Sequence, residues 1–211
     1  MKIYIVVLLL FLLSFSAKSQ GFTAAQVDAA NTGKNAWYMS KKSRQVLLHL
    51  NLVRTDATLY LDTYYQSYRL ARELQHYPPN SPTYVASLSR DAQKVKNLPL
   101  LKPSFWMTLN AKWHARYMGR KGKTGHSSPN RPSFSFWLKF LRADTMDENC
   151  SYGFNDPIAI NFQLLIDDHT PSLGHRKAIF NKTSNHVGIS IKTHQKYDYN
   201  CVQDFYGKKK R

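Results

Sequence analysis

The chain has 211 residues, 43% of them hydrophobic, and carries 30 Lys and Arg against 13 Asp and Glu, a formal net charge of +17. That length suits one domain with a sizeable core, and the apolar fraction excludes a disordered polypeptide. The charge favours anionic partners, while the scatter of basic residues, with no helix-turn-helix, zinc-finger or stacking motif beside them, argues against nucleic acid.

In chain order, Lys2, the apolar run Ile3 to Phe15 and the small residues of Ala17-Lys18-Ser19 predict a signal peptide over 1–19. The run falls short of the roughly 20 apolar residues of a membrane span, so no transmembrane segment is expected in the mature chain. The expected destination is secreted and extracellular, or periplasmic for a bacterial source. Residues 20–43 form a loose lead-in with room for a short helix. From Ser43, Val46, Leu47, Leu50 and Val53 share one face at helical spacing. Thr55-Asp56-Ala57 predicts a break and a new N-cap. A tyrosine-rich helix follows, from Leu59 through Tyr60, Tyr64 and Tyr68 to Leu74, and ends at the prolines between Tyr77 and Pro82.

A shorter helix is expected from Tyr84 to Val95, and another from Ser104 to Met118. On the latter, Phe105, Leu109, Trp113 and Tyr117 form the apolar face, widened by Trp106 and Met107, with Gly119 and Gly122 as terminators. Pro129 to Pro132 is a turn that leads into the aromatic run Phe134, Phe136, Trp137 and Phe140. Ile158 to Ile166 reads as a helix, Val187 to Ile191 as a half-buried strand and Tyr199 to Phe205 as another. Helices first and strands last predict an α+β domain over 44–206, with a solvated basic tail at 207–211. An exported chain with Cys150 and Cys201 is expected to pair them, a closure worth roughly 4 kcal/mol in the chain-entropy model. The alternative is two buried free thiols.

Polar groups concentrate in a few places: Gly125-His126-Ser127, Asp147-Glu148-Asn149, Asp167-Asp168-His169 and Gly174-His175-Arg176. Glycine, proline or short apolar runs flank them, as where loops and element ends surround a cleft. Imidazoles and carboxylates together can share a divalent metal or move protons near neutral pH. Taken singly, each has a plain structural reading. His126 could satisfy a turn, Glu148 could tie loops together, and His175 could sit idle at a helix start. Asp167 and Asp168 could end a helix, although acids at a C-terminus oppose its dipole.

These fragments, in this order, resemble the CAP superfamily of cysteine-rich secretory, antigen 5 and pathogenesis-related group-one proteins. Leu47 to Arg54 is similar to its opening helix and Leu109 to Ala115 to its next one. Gly125-His126-Ser127 matches its first histidine motif, Glu148-Asn149 its Gly-Glu-Asn motif, and Asp167 to Arg176 the second histidine motif of bacterial-type members. The resemblance implies a three-layer α-β-α sandwich with a small, mainly antiparallel central sheet. It also implies a groove lined by His126, Glu148, His175 and one of Asp167 or Asp168. The chain departs from the pattern in four places. Aspartate stands at 167 and 168 where many relatives have glutamate, Asp147 replaces a glycine, Cys150 an aliphatic residue and His169 a glycine, which would add a further ligand.

The resulting expectation is a secreted binding module whose groove takes a divalent metal, zinc or similar, or a lipid, sterol or other extracellular ligand, with anionic surfaces as partners. Two imidazoles with carboxylates suit zinc better than calcium. A metal-dependent or acid-base hydrolase using the same groups is the alternative. No His-Glu-x-x-His helix and no nucleophile elbow supports it. An adhesion or effector scaffold with a vestigial pocket is the third reading.

Overall fold

A computed structural model describes residues 21–208. The expected signal peptide over 1–19 and the end of the basic tail lie outside the described residues. The lead-in holds the short helix α1 (Ala24–Ala30), opened by a capping box in which Thr23 and Gln26 satisfy each other's backbone N–H. Helix α2 (Lys41–Thr55) starts after the N-cap Ser40 and buries Val46, Leu47, Leu50 and Val53, the face read from the sequence. The break falls where expected. The Asp56 carboxylate accepts the Leu59 N–H at 2.9 Å and starts α3 (Ala57–Leu74). Tyr60 and Tyr68 of α3 stack on Phe162, with ring centroids 5.3 and 5.0 Å apart.

Helix α4 (Pro82–Ala92) and the two-residue strand β1 (Lys102–Pro103) precede α5 (Phe105–Lys121) and α6 (Phe134–Leu141). Then come β2 (Thr145–Tyr152), α7 (Pro157–Ile166), α8 (Gly174–Phe180), β3 (His186–His194) and β4 (Asp198–Gly207). The sheet order is β1-β3-β4-β2, parallel between β1 and β3 and antiparallel at the other two junctions. Alternation along the strands separates two helical layers. Val187, Ile189, Cys201 and Phe205 face the main core with α2, α3 and α7. Cys150, Val202 and Tyr206 face α5 and α6. This is the expected three-layer sandwich. Among the described residues no helix is long and apolar enough to cross a membrane.

Two findings reverse expectations. Helix α5 does not bury its large residues. It packs Met107, Ala111, Ala115 and Gly119 inward and leaves Phe105, Trp106, Leu109 and Trp113 exposed. The small side chains let the helix lie directly on β3: a Cβ on Gly188 would fall 2.0 Å from the backbone carbon of Met107, and one on Gly119 2.0 Å from the Thr193 carbonyl oxygen. The second reversal concerns the cysteines. Cys150 pairs with Val202 across the ladder and Cys201 with Ser151, so the two sit one position out of step. Their side chains therefore point to opposite faces of the sheet, and both are buried free thiols.

Two buried guanidinium groups tie the helices down. Arg54 donates to four backbone carbonyls: Pro99 at 2.9 Å, Ile179 at 2.6 Å, Asn181 at 3.1 Å and Ser184 at 2.7 Å. Burial without a carboxylate pushes its pKa down to about 10. Ile179 and Asn181 close α8, so a cation stands where the helix dipole is negative. Arg176 does the same for α7 through the Leu165 and Ile166 carbonyls, at 2.6 and 2.8 Å, and reaches Asp91 of α4 at 2.9 Å.

Candidate functional site

The site is two histidine–carboxylate pairs held by different elements. Strand β2 carries Glu148 on the α5 side of the sheet, opposite Asp204 of β4. The loop after α5 brings in His126, whose Nδ1 lies 2.9 Å from Glu148 Oε1. The other Glu148 oxygen accepts from the Arg131 guanidinium, which also donates to Asp204 at 2.9 Å. Asn110 of α5 donates to Asp204 at 2.7 Å, and its own oxygen accepts the Trp137 indole N–H at 3.1 Å. Burial works against the Glu148 charge, but hydrogen bonds from His126 and Arg131 outweigh it and hold the pKa at about 2. Burial raises Asp204 well above the usual carboxylate range, helped by the charge on Glu148. The two carboxylates share one guanidinium, which drives their pKa values apart, Glu148 down and Asp204 up. The hydrogen bond to Glu148 raises the His126 pKa despite partial burial.

The second pair is built at the junction of α7 and α8. Asp167 ends α7 in the left-handed conformation, at φ 56°. Its carboxylate turns onto the next helix, accepting the His175 N–H at 2.9 Å, the Arg176 N–H at 3.3 Å and the His175 ring Nδ1 at 2.7 Å. An acid that reads from the sequence as a misplaced helix end thus satisfies two of the first N–H groups of α8 from the end of α7. Burial opposes the charge on Asp167, but the bond from His175 prevails and holds its pKa below the ordinary value. Aspartate is long enough here: the shorter side chain reaches its histidine.

Asp168 turns away from His175. It accepts from the Ser81 N–H at 3.0 Å and from Asn80 at 3.2 Å, fixing the loop that starts α4. His169 is 87% exposed at its side chain, with its nearest acid, Asp168, 3.8 Å away. Cys150 stands between the pairs. Its sulfur lies 3.9 Å from His126 Nδ1, and it lines a cleft of about 370 Å³ with Tyr152, Asp167, Asp168, His169 and His175. His126 and Arg131 line a different hollow, of about 350 Å³, which shares no lining residue with that cleft.

Among the described residues, His114, Glu148 and Cys150 bring ligand atoms within 4.8 Å of one another. That trio does not suit a cation. Both His114 nitrogens are engaged, with Ser128 Oγ and the Gly125 carbonyl at 3.0 Å, and both Glu148 oxygens are taken. Burial raises the Cys150 thiol far above its ordinary value, so no thiolate is on offer. The two paired rings are accessible, with side chains 58% exposed at His126 and 27% at His175. In each, Nδ1 is held by a carboxylate, and among the described residues Nε2 has no hydrogen-bond partner. That arrangement fixes the tautomer and orientation of a ligating imidazole.

Sequence reasoning missed Arg131, Asp204 and Asn110, which hold Glu148 in place. The one available signal for Arg131 was a lone cation between Pro129 and Pro132, in a turn that had no other reason to be charged.

A comparison with curated proteins gave no match. Among solved structures, an extracellular protein containing an SCP domain from Bacillus anthracis strain Ames is 25% identical with a TM-score of 0.42, over 53% of this chain and 35% of that one. This chain therefore spans about a third of that protein's length. An outer surface protein of Borrelia burgdorferi is 17% identical with a TM-score of 0.44, over 60% of this chain and 90% of that one. The family model described as CAP, the cysteine-rich secretory protein family, matches residues 68–205. With that span of the chain matched, the protein belongs to the CAP family.

Proposed function

We propose that this is an extracellular CAP-domain binding module that takes a divalent cation, zinc or similar, through the Nε2 atoms of His126 and His175. The observation that supports it is the pair of rings with Nδ1 anchored on Glu148 and Asp167 and Nε2 without a protein partner. When bound, the cation would supply a Lewis-acid centre for a polar group of a second ligand. The chain's own contribution is to orient the rings and hold their charge state. The cleft beside His175, at about 370 Å³, is sized for a small ligand rather than a polymer chain.

The hydrolase reading is the weaker one. Glu148, held at about pKa 2 by His126 and Arg131, stays ionised and has no proton to give at neutral pH. With its oxygens occupied it is also a poor base, and the raised Cys150 thiol is a poor nucleophile.

Calorimetry with zinc tests the proposal. His126→Ala combined with His175→Ala should abolish binding while the chain still unfolds in one cooperative transition. Glu148→Gln or Asp167→Asn should weaken binding about 10- to 100-fold. A proton competes for the same nitrogen, and the raised His126 pKa moves that competition upward, so affinity should already be falling at pH values above 6.5. Zinc affinity unchanged in the double variant would remove the metal and leave the pocket as an organic-ligand site or a relic.

A further inference from the structure

The outward face of α5 and α6 is a continuous aromatic surface. Trp37 is 82% exposed and its ring centroid lies 6.1 Å from that of Phe105. Phe105 meets Trp106 at 5.3 Å, Trp106 meets Phe140 at 5.6 Å, and Phe140 stacks on Phe136 at 5.8 Å. Leu109 and the 54% exposed Trp113 extend the surface along α5. Helix α6 presents Trp137 and Leu141 to the core and Phe136 and Phe140 to the outside, so it is apolar on two faces yet covered on one alone. A helix of that pattern ordinarily has a second apolar neighbour.

The charge along α5, α6 and the loop between them has one sign. Between Asp91 and Asp144 the sequence contains no acidic residue and eleven Lys and Arg. Lys112 and Arg116 flank Trp113 on the exposed side of α5, and Lys139 and Arg142 flank Phe140 at α6. A second copy seated on this face would bring like charges together, and a protein partner would have to supply an acidic rim around an apolar centre. A bilayer with anionic head groups supplies both at once. Tryptophan and phenylalanine sit at the depth of the head groups, and lysine and arginine reach the phosphates.

We infer that this face docks on an anionic lipid membrane surface, with Trp37, Trp106, Trp113, Phe136 and Phe140 entering the interface and Lys112, Arg116 and Lys139 meeting the head groups. The contact is peripheral and carried by the folded domain. It is independent of the histidine cleft.

Co-sedimentation of the full chain with vesicles of phosphatidylglycerol and phosphatidylcholine, against phosphatidylcholine alone, tests it. Binding should require the anionic lipid, fall with added salt, and be accompanied by a blue shift of tryptophan fluorescence. Trp106→Ser with Phe140→Ser should lower partitioning roughly tenfold or more. Lys112→Glu with Lys139→Glu, which leaves the aromatic packing untouched, should lower it about 25-fold or more, at about fivefold for each charge lost. Leu74→Ser, at an 80% exposed leucine in the other helical layer, should change nothing. All these proteins share the apolar segment from Ile3 to Phe15, so equal partitioning of the charge-reversed and unaltered chains would assign the binding to that segment and overturn the inference. Self-association that vanishes in the aromatic variant, without vesicle binding in the unaltered chain, would overturn it in favour of a second copy.

Discussion

At the scale of single residues, the site is a problem in charge placement. Glu148 and Asp204 are buried together around the shared Arg131 guanidinium, and His126 holds the other oxygen of Glu148. The consequence can be read against pH. The Glu148 pKa is depressed from 4.5 to about 2, so its contribution to stability is complete above about pH 4.5 and is lost as pH falls toward 2. Urea denaturation of the unaltered chain and Glu148→Gln should therefore differ by about 3 kcal/mol near neutral pH and converge near pH 2. His126 runs the other way. Its raised pKa stabilises the fold below 6.5, and that contribution fades as pH rises through the folded value. His126, Glu148, Asp167 and His175 were all legible as polar residues in ordered motifs. Arg131 and Asp204 were not, because each is one polar residue in a segment that reads as a turn or an apolar strand, and only the tertiary fold shows that they meet.

At the scale of elements, the reliable signals were caps, proline stops and small clusters of apolar residues at helical spacing. Asp56 and the prolines before α4 set boundaries within a residue or two of those read from the sequence, and α2, read from Ser43, starts at Lys41 behind a cap at Ser40 that was not read from the sequence. Helix α5 was placed correctly and turned the wrong way round. Periodicity finds a face but does not say which of two apolar faces goes in, and here Ala111, Ala115 and Gly119, four apart, outrank the aromatics because they allow backbone contact. Strand β2 was invisible: its sequence from Thr145 to Tyr152 is largely polar, and its pairing with β4 alone makes it a strand. The close packing of α5 predicts that Gly188→Ala lowers stability by about 1–3 kcal/mol or more, since the added carbon meets main chain and not a movable side chain. Removing the α8 tie with Arg54→Ala should cost on the order of 3 kcal/mol by denaturant titration. Arg54→Lys should recover less than half of it, because a single ammonium cannot span four carbonyls set around a planar group.

At the scale of the whole molecule, the class was legible because helical patterns fill most of the chain and the two long strands come last. The early helices α2 and α3 build one layer with α7, the late strands β3 and β4 make the sheet, and α5 closes the other side. What did not follow from the sequence was the fate of the sulfurs. An even number of cysteines in an exported chain argues for pairing, but a single step of register sends the two side chains through opposite faces of the sheet, and no rotamer brings them back. The layers are held by packing and by guanidinium ties, with no covalent clasp between them. Heating in the presence and absence of a thiol reductant should therefore give one and the same melting curve. A protein built this way is indifferent to redox history: it reaches the same fold in a reducing or an oxidising compartment, with no oxidant and no isomerase required.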